Sequence, residues 1–409
     1  MHSSWWQALP GATYDSWGYY GKWAASALAI GIERGVFDPA DLDVALGYTA
    51  NDSEPTFVVG DFVRVRTEDA ASRFRRPHLR TPGYVFGAVG LIERCAGVYG
   101  DPEFLAFRGV QRKEPLYRVR FPQKALWYDY CGSEADTIEV EIYQSWLLPA
   151  TQELWDAQQR EADHHAHPNH AVRHDDAHGH HHGHHDHGHL HEARETVELN
   201  AIQSEGPESI AQRVGEALFS LLIKTDKVTP AEVTLAIEKI DSLGSSVFGP
   251  RLVARAWVDE AFKARLLSDA ASAASELGIE ASNSTANTKL TAVANTESVH
   301  NVCVCTLCSC YPLSILGLSP PWYKDRRYRA RVVREPRSVL REFGTEVPAG
   351  VTVRVHDSTA DLRYIVIPMR PEGTDGWDEA QLQRLVSRDS MIGVRFATPA
   401  ASVDSNSSD

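Results

Sequence analysis

The sequence predicts an α+β protein built in two folded parts, on three observations. A histidine-rich tract of low complexity divides the chain. Before it, short runs of alternating β-type residues dominate; after it, amphipathic helices come first and strands follow. At 409 residues and 43% hydrophobic, the chain can bury the cores of two or three domains. A net charge of −14 argues against a nucleic-acid binder, which needs a basic face to displace phosphate counterions. The longest apolar run, "WAASALAIGIERGVF" (23–37), is broken by Glu33 and Arg34, so it reads as a core helix and not a membrane span. No basic region with a cleavage site opens the sequence. The expectation is a cytoplasmic protein acting on small molecules, without nucleic-acid or membrane partners.

Helical periodicity over 17–35 and a second short helix from Pro39 in "DPADLDVAL" predict an N-terminal helical arm. From Phe57, "FVVGDFVRVR", "GAVGLIERCAG", "PLYRVRF" and "DTIEVEIYQSWLL" are rich in Val, Ile and Tyr and are punctuated by Gly, Pro and Asp, as in a small antiparallel barrel. Between His164 and His191 lie 14 of the 18 histidines. So polar a tract buries too little apolar surface to offset its ordering entropy. The boundaries follow as 1–155, a disordered linker over 156–204, a second folded part over 205–400 and a disordered tail over 401–409. A flexible linker of roughly 50 residues reaches about 40 Å, enough for both parts to meet in one molecule. In the second part, "ESIAQRVGEALFSLLIKTDKVTPAEVTLAIEKI" and "RLVARAWVDEAFKARLLSDAASAASELG" read as amphipathic helices, the last closing on Gly278. Strand-like "KLTAVANT", "VRVHD" and "RYIVIP" follow. A faint internal echo pairs "IERGVFDPADLDVAL" with "IKTDKVTPAEVTLAI".

The chemistry concentrates in "VCVCTLCSCYPL" (302–313), which holds four of the six cysteines. Four in one cluster argue for a metal or redox site in a reducing compartment over a disulfide framework. A structural zinc site usually draws its ligands from two separated knuckles, and here there is one. Cys305, Cys308 and Cys310 are better spaced to put three sulfurs on one side of a metal, with the backbone nitrogens of Ser309 and Cys310 facing the same centre. Thiolates with amide nitrogens form a strong field suited to a low-spin trivalent ion. Zinc and incidental buried cysteines remain alternatives on spacing alone.

"VCTLCSCYP" (304–312), "LGLSPPWYK" (316–324) and "RVVREPRSVLREFG" (331–344) resemble the α subunit of nitrile hydratase. So do "VARAWVDEAFKARLL" (253–267), "DSTADLRYIVIP" (357–368) and "RDSMIGV" (388–394). Thr306 and Tyr311 within the claw resemble the cobalt branch of that family. "YDSWGYYGKW" (14–23), "VGDFVRVR" (59–66), "HLRTPGY" (78–84) and "GLIERCAGVYGDPE" (90–103) resemble the β subunit, as does the stretch from "PLYRVRF" to "QSWLLPA" (115–150). The whole is similar to a single-chain β–α fusion with a histidine-rich joint. By that resemblance the first part is a helical arm with a Src-homology-3-like barrel, and the second a layered α/β/β/α sandwich.

The resemblance also implies the activity, hydration of nitriles to amides by a hydro-lyase. It implies one non-corrin Co(III) per chain, cobalt being preferred to iron, held by Cys305, Cys308, Cys310 and the main-chain nitrogens of Ser309 and Cys310. Cys308 and Cys310 would be sulfinic and sulfenic acids, with Cys310 the nucleophile or water its alternative. Arg80 matches an arginine that clamps the oxidised sulfurs, a task for a planar fork. Tyr19 and Trp23, four apart on one helical face, match pocket-lining aromatics. Thr306, Ser309 and Tyr311 add hydroxyl groups, and Asp357 and Arg363 match residues that support the claw. Partner expectations are a small nitrile, a homo-oligomer and a metal-loading activator protein. The histidine tract could gather divalent cobalt for the claw, or act only as a tether.

The sequence departs from the family pattern at Phe86, Ala286, Cys303 and Leu313. It also departs at "MHSS", where the other β-type arginine is expected. Thiocyanate hydrolase, which shares the claw, and an inactive metal-binding protein on the same scaffold are the alternative functions.

Overall fold

The computed structural model describes residues 27, 31, 34–36, 54–67, 80–102, 112–127, 129–166, 210–229, 232, 248–281, 288–307, 310–358 and 361–400. Almost all of the expected helical arm, the histidine tract beyond Ala166 and the tail lie outside them. The chain divides into two compact units, Met1–Phe121 with Glu139–Ala162, and Pro122–Ile138 with Asp163–Asp409. Both α-helix and β-sheet are present, as an α+β fold requires.

The first unit is built on β1 (Phe62–Val65), β2 (Val89–Gly100), β3 (Lys113–Pro122), β4 (Thr137–Tyr143) and β5 (Leu147–Pro149). A helical turn, α1 (Gln123–Leu126), separates β3 from β4 along the chain. The strand order is β5-β1-β2-β3-β4. β1 pairs antiparallel with β2 and β5, and β2 with β3. Each run expected as β contributes a strand, although "FVVGDFVRVR" yields only Phe62–Val65. Its front half is a turn instead. Gly60 takes φ 95°, and Asp61 Oδ2 accepts from Val58 N at 2.8 Å, so the turn satisfies itself locally. Val63, Val65, Ile92, Val119, Phe121, Val140 and Ile142 form the core.

Past residue 156, where the linker is expected to begin, the chain is still helical: α2 (Gln152–Ala166) continues through His164 and His165. Its Gln, Glu, Ala and Arg residues favour helix, and tertiary contacts anchor it. The Trp155 ring lies 5.5 Å from that of Phe62. Gln158 exchanges two hydrogen bonds with the backbone of Val89, at 2.8 and 2.9 Å. Strand-edge pairing of this kind is invisible to composition.

Beyond Pro122–Ile138, which includes α1, the second unit continues with α3 (Ile210–Lys224). The long helical run that follows is three helices, α4 (Phe248–Val258), α5 (Glu260–Ser268) and α6 (Ala270–Glu276). The breaks fall at Asp259 and Asp269, whose side chains cap α5 and α6 by accepting from Phe262 N and Ser272 N. Next come β6 (Lys289–Ala294), β7 (Val299–Val304), α7 (Leu313–Leu316), α8 (Pro321–Lys324), α9 (Arg326–Arg334) and α10 (Pro336–Glu342). They are followed by β8 (Thr352–Asp357), β9 (Leu362–Ile367), α11 (Glu379–Gln383) and α12 (Arg388–Ile392). β7, which delivers the cysteine loop, was not among the expected strands; His300 and Asn301 interrupt its apolar pattern. The pairs β6–β9 and β7–β8 are parallel. α5 and α6 pack on β6, and α9 on β7 and β8, while β7 touches β6 and β9. The result is layered, and the strands read as nearly continuous buried runs because both faces are covered.

One glycine is sterically required beside the cysteine loop. Gly393 caps α12 at φ 92°, and a Cβ there would stand 2.0 Å from the Asn301 carbonyl oxygen in β7.

Candidate metal centre

β7 ends at Val304, and the loop that follows starts with Cys305, which is fully buried. Parallel pairing sets Cys303 opposite His356 and Val304 opposite Asp357. Ser358 N donates to Val304 O at 2.8 Å, continuing the ladder to the edge of the loop. Asp357, itself buried, then takes hold of the next residue. Its Oδ1 accepts from Thr306 N at 2.9 Å and its Oδ2 from Thr306 Oγ1 at 2.6 Å. Both carboxylate oxygens thus serve Thr306, one its amide and the other its hydroxyl.

Donors from the helices beyond the loop reach its carbonyls. Tyr328 Oη donates to Cys303 O at 3.0 Å, Arg329 Nη1 to Thr306 O at 3.0 Å, and Tyr323 Oη to Cys310 O at 2.9 Å. Sequence reasoning missed all three. The available signal was tyrosine on the buried face of the arginine-rich "RRYRARVVR", since a buried phenol needs a partner for its hydroxyl. Burial pushes the Tyr323 and Tyr328 phenols well above their ordinary range, so both stay protonated donors. Tyr311 packs edge-on to Tyr323 at 5.1 Å, and burial raises its phenol too.

Of the expected site residues, Cys305, Thr306, Cys310, Tyr311 and Asp357 come together in the second unit. Arg363 lies in β9, where its Nη1 donates to Leu362 O at 2.7 Å; Ser358 Oγ donates to the same carbonyl. Arg80 belongs to the first unit, is exposed, and takes φ 74°, a left-handed conformation unusual for a side chain of its size. Cys308, Ser309, Tyr19 and Trp23 lie outside the described residues. Among the described residues no three of His, Cys, Asp and Glu gather to hold a metal.

The donor chemistry nevertheless fits a thiolate-bound ion. Cys305 is wholly buried and Cys310 partly buried, two sulfurs of the type such an ion takes. The buried Tyr311 hydroxyl has no hydrogen-bond partner among the described residues, and a polar ligand would satisfy it.

Comparison with known proteins covers both parts of the chain. Residues 209–395 match the family "Nitrile hydratase, alpha chain", and residues 48–149 match "Nitrile hydratase beta subunit, C-terminal". The cobalt-containing nitrile hydratase subunit alpha of Pseudonocardia thermophila is 44% identical over 200 residues, 49% of this chain and 96% of that one. Thiocyanate hydrolase subunit gamma of Thiobacillus thioparus is 45% identical over 162 residues, covering 38% and 67%. The low-molecular weight cobalt-containing nitrile hydratase subunit beta of Rhodococcus rhodochrous is 27% identical over 176 residues, covering 35% and 76%. Carrying a β-type region followed by an α-type region on one polypeptide, this chain belongs to the nitrile hydratase family as a β–α fusion.

Proposed function

We propose that the chain is a hydro-lyase that hydrates nitriles to amides, with one cobalt ion held by Cys305, Cys308, Cys310 and the backbone nitrogens of Ser309 and Cys310. The observation that carries this reading is the buried Cys305 loop anchored through Thr306 by Asp357, within a region 44% identical to a cobalt-containing relative. When bound, the trivalent ion would supply Lewis acidity that polarises the C≡N bond. Cobalt is preferred because of that relative's description; iron is the alternative.

The protein's part is positioning and charge. Cys308 and Cys310 would be oxidised once, by molecular oxygen before turnover, to sulfinic and sulfenic acids. The Cys310 sulfenate oxygen then attacks the nitrile carbon, with an electron pair of the C≡N bond passing to nitrogen. Water attacks the Cys310 sulfur, the S–O bond breaks to release the amide, and the water oxygen restores the sulfenate. An ordered water attacking carbon directly is the alternative. Net addition of one water leaves the former nitrile nitrogen with two protons and the carbon with the oxygen. Arg80 supplies a planar, permanently charged fork to the sulfur oxyanions. Thr306, Ser309 and Tyr311 contribute hydroxyl groups, Tyr19 and Trp23 line the pocket, and Asp357 and Arg363 hold the loop. On this reading the first unit is a Src-homology-3-like barrel with a helical arm and the second an α/β/β/α sandwich. The enzyme is cytoplasmic and self-associates, and an activator protein can load its metal. No described helix is long and apolar enough to cross a membrane.

Purified protein should hold close to one cobalt per chain and release amide from a simple aliphatic nitrile. The claw peptide should carry three added oxygens by mass. Cys310→Ser should abolish turnover by removing a ligand and the nucleophile together; retained turnover would put the chemistry elsewhere. Thiocyanate hydrolysis is the second reading, favoured by the likeness to the thiocyanate hydrolase gamma subunit. Ammonia and carbonyl sulfide from thiocyanate, with no amide from nitriles, would establish it. Bound cobalt without either product would mean an inactive metal-binding protein.

A further inference from the structure

Peptide planes around the cysteine loop are pinned one after another. The plane joining residues 303 and 304 is held by Tyr328 on Cys303 O, and the next by Ser358 N on Val304 O. Asp357 holds the plane between Cys305 and Thr306 through Thr306 N, and Arg329 the following one through Thr306 O. Both backbone dihedrals of Cys305 are therefore set by groups outside the loop. At the far end, Tyr323 holds the plane that follows Cys310.

Three of these donors come from one short stretch, Tyr323 to Arg329, and that stretch is braced by its own contacts. Asp325 caps α9 through Arg327 N at 2.9 Å. Arg329 Nε donates back to Lys324 O at 3.1 Å, so its guanidinium joins the end of α8 to the loop. Trp322, 1% exposed, packs beneath, with its ring 4.8 Å from Tyr328 and 4.6 Å from Phe343. Backbone carbonyls in a loop without regular structure must find donors when buried. Here side chains provide them, so each can be removed singly.

We propose that Tyr323, Tyr328 and Arg329 are positioning residues that fix the two described ends of the cysteine loop, Cys305–Thr306 and Cys310, before any metal arrives, and that Tyr323 specifically aims Cys310. The proposal rests on the reading of Cys310 as a ligand and nucleophile. Loop preorganisation matters because reacting groups held near their working geometry need no further ordering at the moment of reaction. Metal capture by a preformed loop likewise avoids the entropy of assembling it.

The test uses the full chain grown without cobalt, then loaded. In metal-free protein, Tyr323→Phe keeps the ring and its packing but loses the hydroxyl. Alkylation of Cys310, read by peptide mass, should run at least fivefold faster than in the parent, with Cys303 unchanged. After loading, kcat should fall at least tenfold while KM stays within twofold. Arg329→Met should slow cobalt uptake, with Arg329→Lys restoring part of it; Arg327→Met, on the exposed side of the same helix, should match the parent. Hydrogen exchange in the metal-free parent should show a protected Thr306 amide, which keeps the test decisive if a variant does not fold. Cys310 alkylation and kcat both within twofold of the parent, or a Thr306 amide exchanging at the unfolded rate, would overturn the proposal. A parent that neither binds cobalt nor turns over nitrile refutes the enzyme reading alone, since alkylation and exchange still decide positioning.

Discussion

Thr306 shows how much of the centre depends on single side chains. Its amide and hydroxyl both end on Asp357, and its carbonyl on Arg329. In Asp357→Asn, the amide oxygen can still accept from Thr306 N while the amide nitrogen donates to Thr306 Oγ1. Asp357→Ala offers neither and leaves the half-buried Thr306 N–H without that acceptor, a loss of about 1 kcal/mol. Alanine should therefore lower both the thermal midpoint and cobalt per chain more than asparagine does. Equal behaviour of the two variants would mean that the Thr306 bonds do not matter. His300 supplies a pH signature. Its Nε2–H donates to Gly393 O at 2.7 Å and its Nδ1 accepts from Asn295 Nδ2 at 3.3 Å, an arrangement that needs the neutral ring. Burial pulls its imidazole below the ordinary value near 6.5, with Arg337 acting in the same direction and the Gly393 bond opposing. The unfolded chain therefore binds the proton first. His300 contributes its full stability above about pH 6.5, and loses it as pH falls toward the depressed native value. Urea midpoints from pH 8 to pH 5 should drop in the parent and drop less in His300→Gln. Parallel curves would remove His300 from the acid response.

At the scale of elements, the segment 122–138 is where sequence and structure part most clearly. By pattern it belongs with the β-type strands, yet it is part of the second unit. The cause is Asp136, fully buried and read in the sequence only as punctuation before a strand. Its carboxylate accepts from Arg337 Nε at 2.7 Å and Nη2 at 2.8 Å, and from Val353 N at 2.8 Å. Tyr130 Oη at 2.7 Å and Ser133 N at 2.9 Å complete the set. Gln123, also buried, donates to Val333 O at 2.8 Å. Contacts about two hundred residues apart leave no periodic trace, whereas the strands of the first unit announce themselves by composition. The same reason hid Tyr323 and Arg329, while the cysteine spacing was plain. Helix caps lie between these extremes: Asp259 and Asp269 are local signals, but each sits inside an apolar pattern that reads as continuous. Removing one partner of a buried ion pair costs about 3–5 kcal/mol. Asp136→Ala should destabilise the second unit by that order in urea unfolding and disturb β8, whose Val353 it anchors. A loss under about 1 kcal/mol would mean that Arg337 finds other partners at little cost.

Across the whole molecule, two family regions that match separate subunits elsewhere share one chain, joined by the histidine-rich tract. Such a joint has a second use if its imidazoles gather cobalt near the claw, because neutral imidazole binds divalent cobalt well and releases it to stronger thiolate ligands. A tether and a metal reservoir make different demands on sequence: a tether needs length, a reservoir needs the rings. Shortening the joint would confuse the two, and removing His164 or His165 would disturb α2, which runs to Ala166. The informative variant replaces every histidine from His167 to His191 with serine at constant length. Chain reach is then preserved, so thermal unfolding and the catalytic rate per bound cobalt should match the parent. Cobalt per chain should fall when the metal is limiting during expression, and recover when it is in excess. Mass-action binding explains that recovery, since high free cobalt fills the claw without help from a local store. If loading at limiting cobalt equals that of the parent, the histidines only fill space between two folded units.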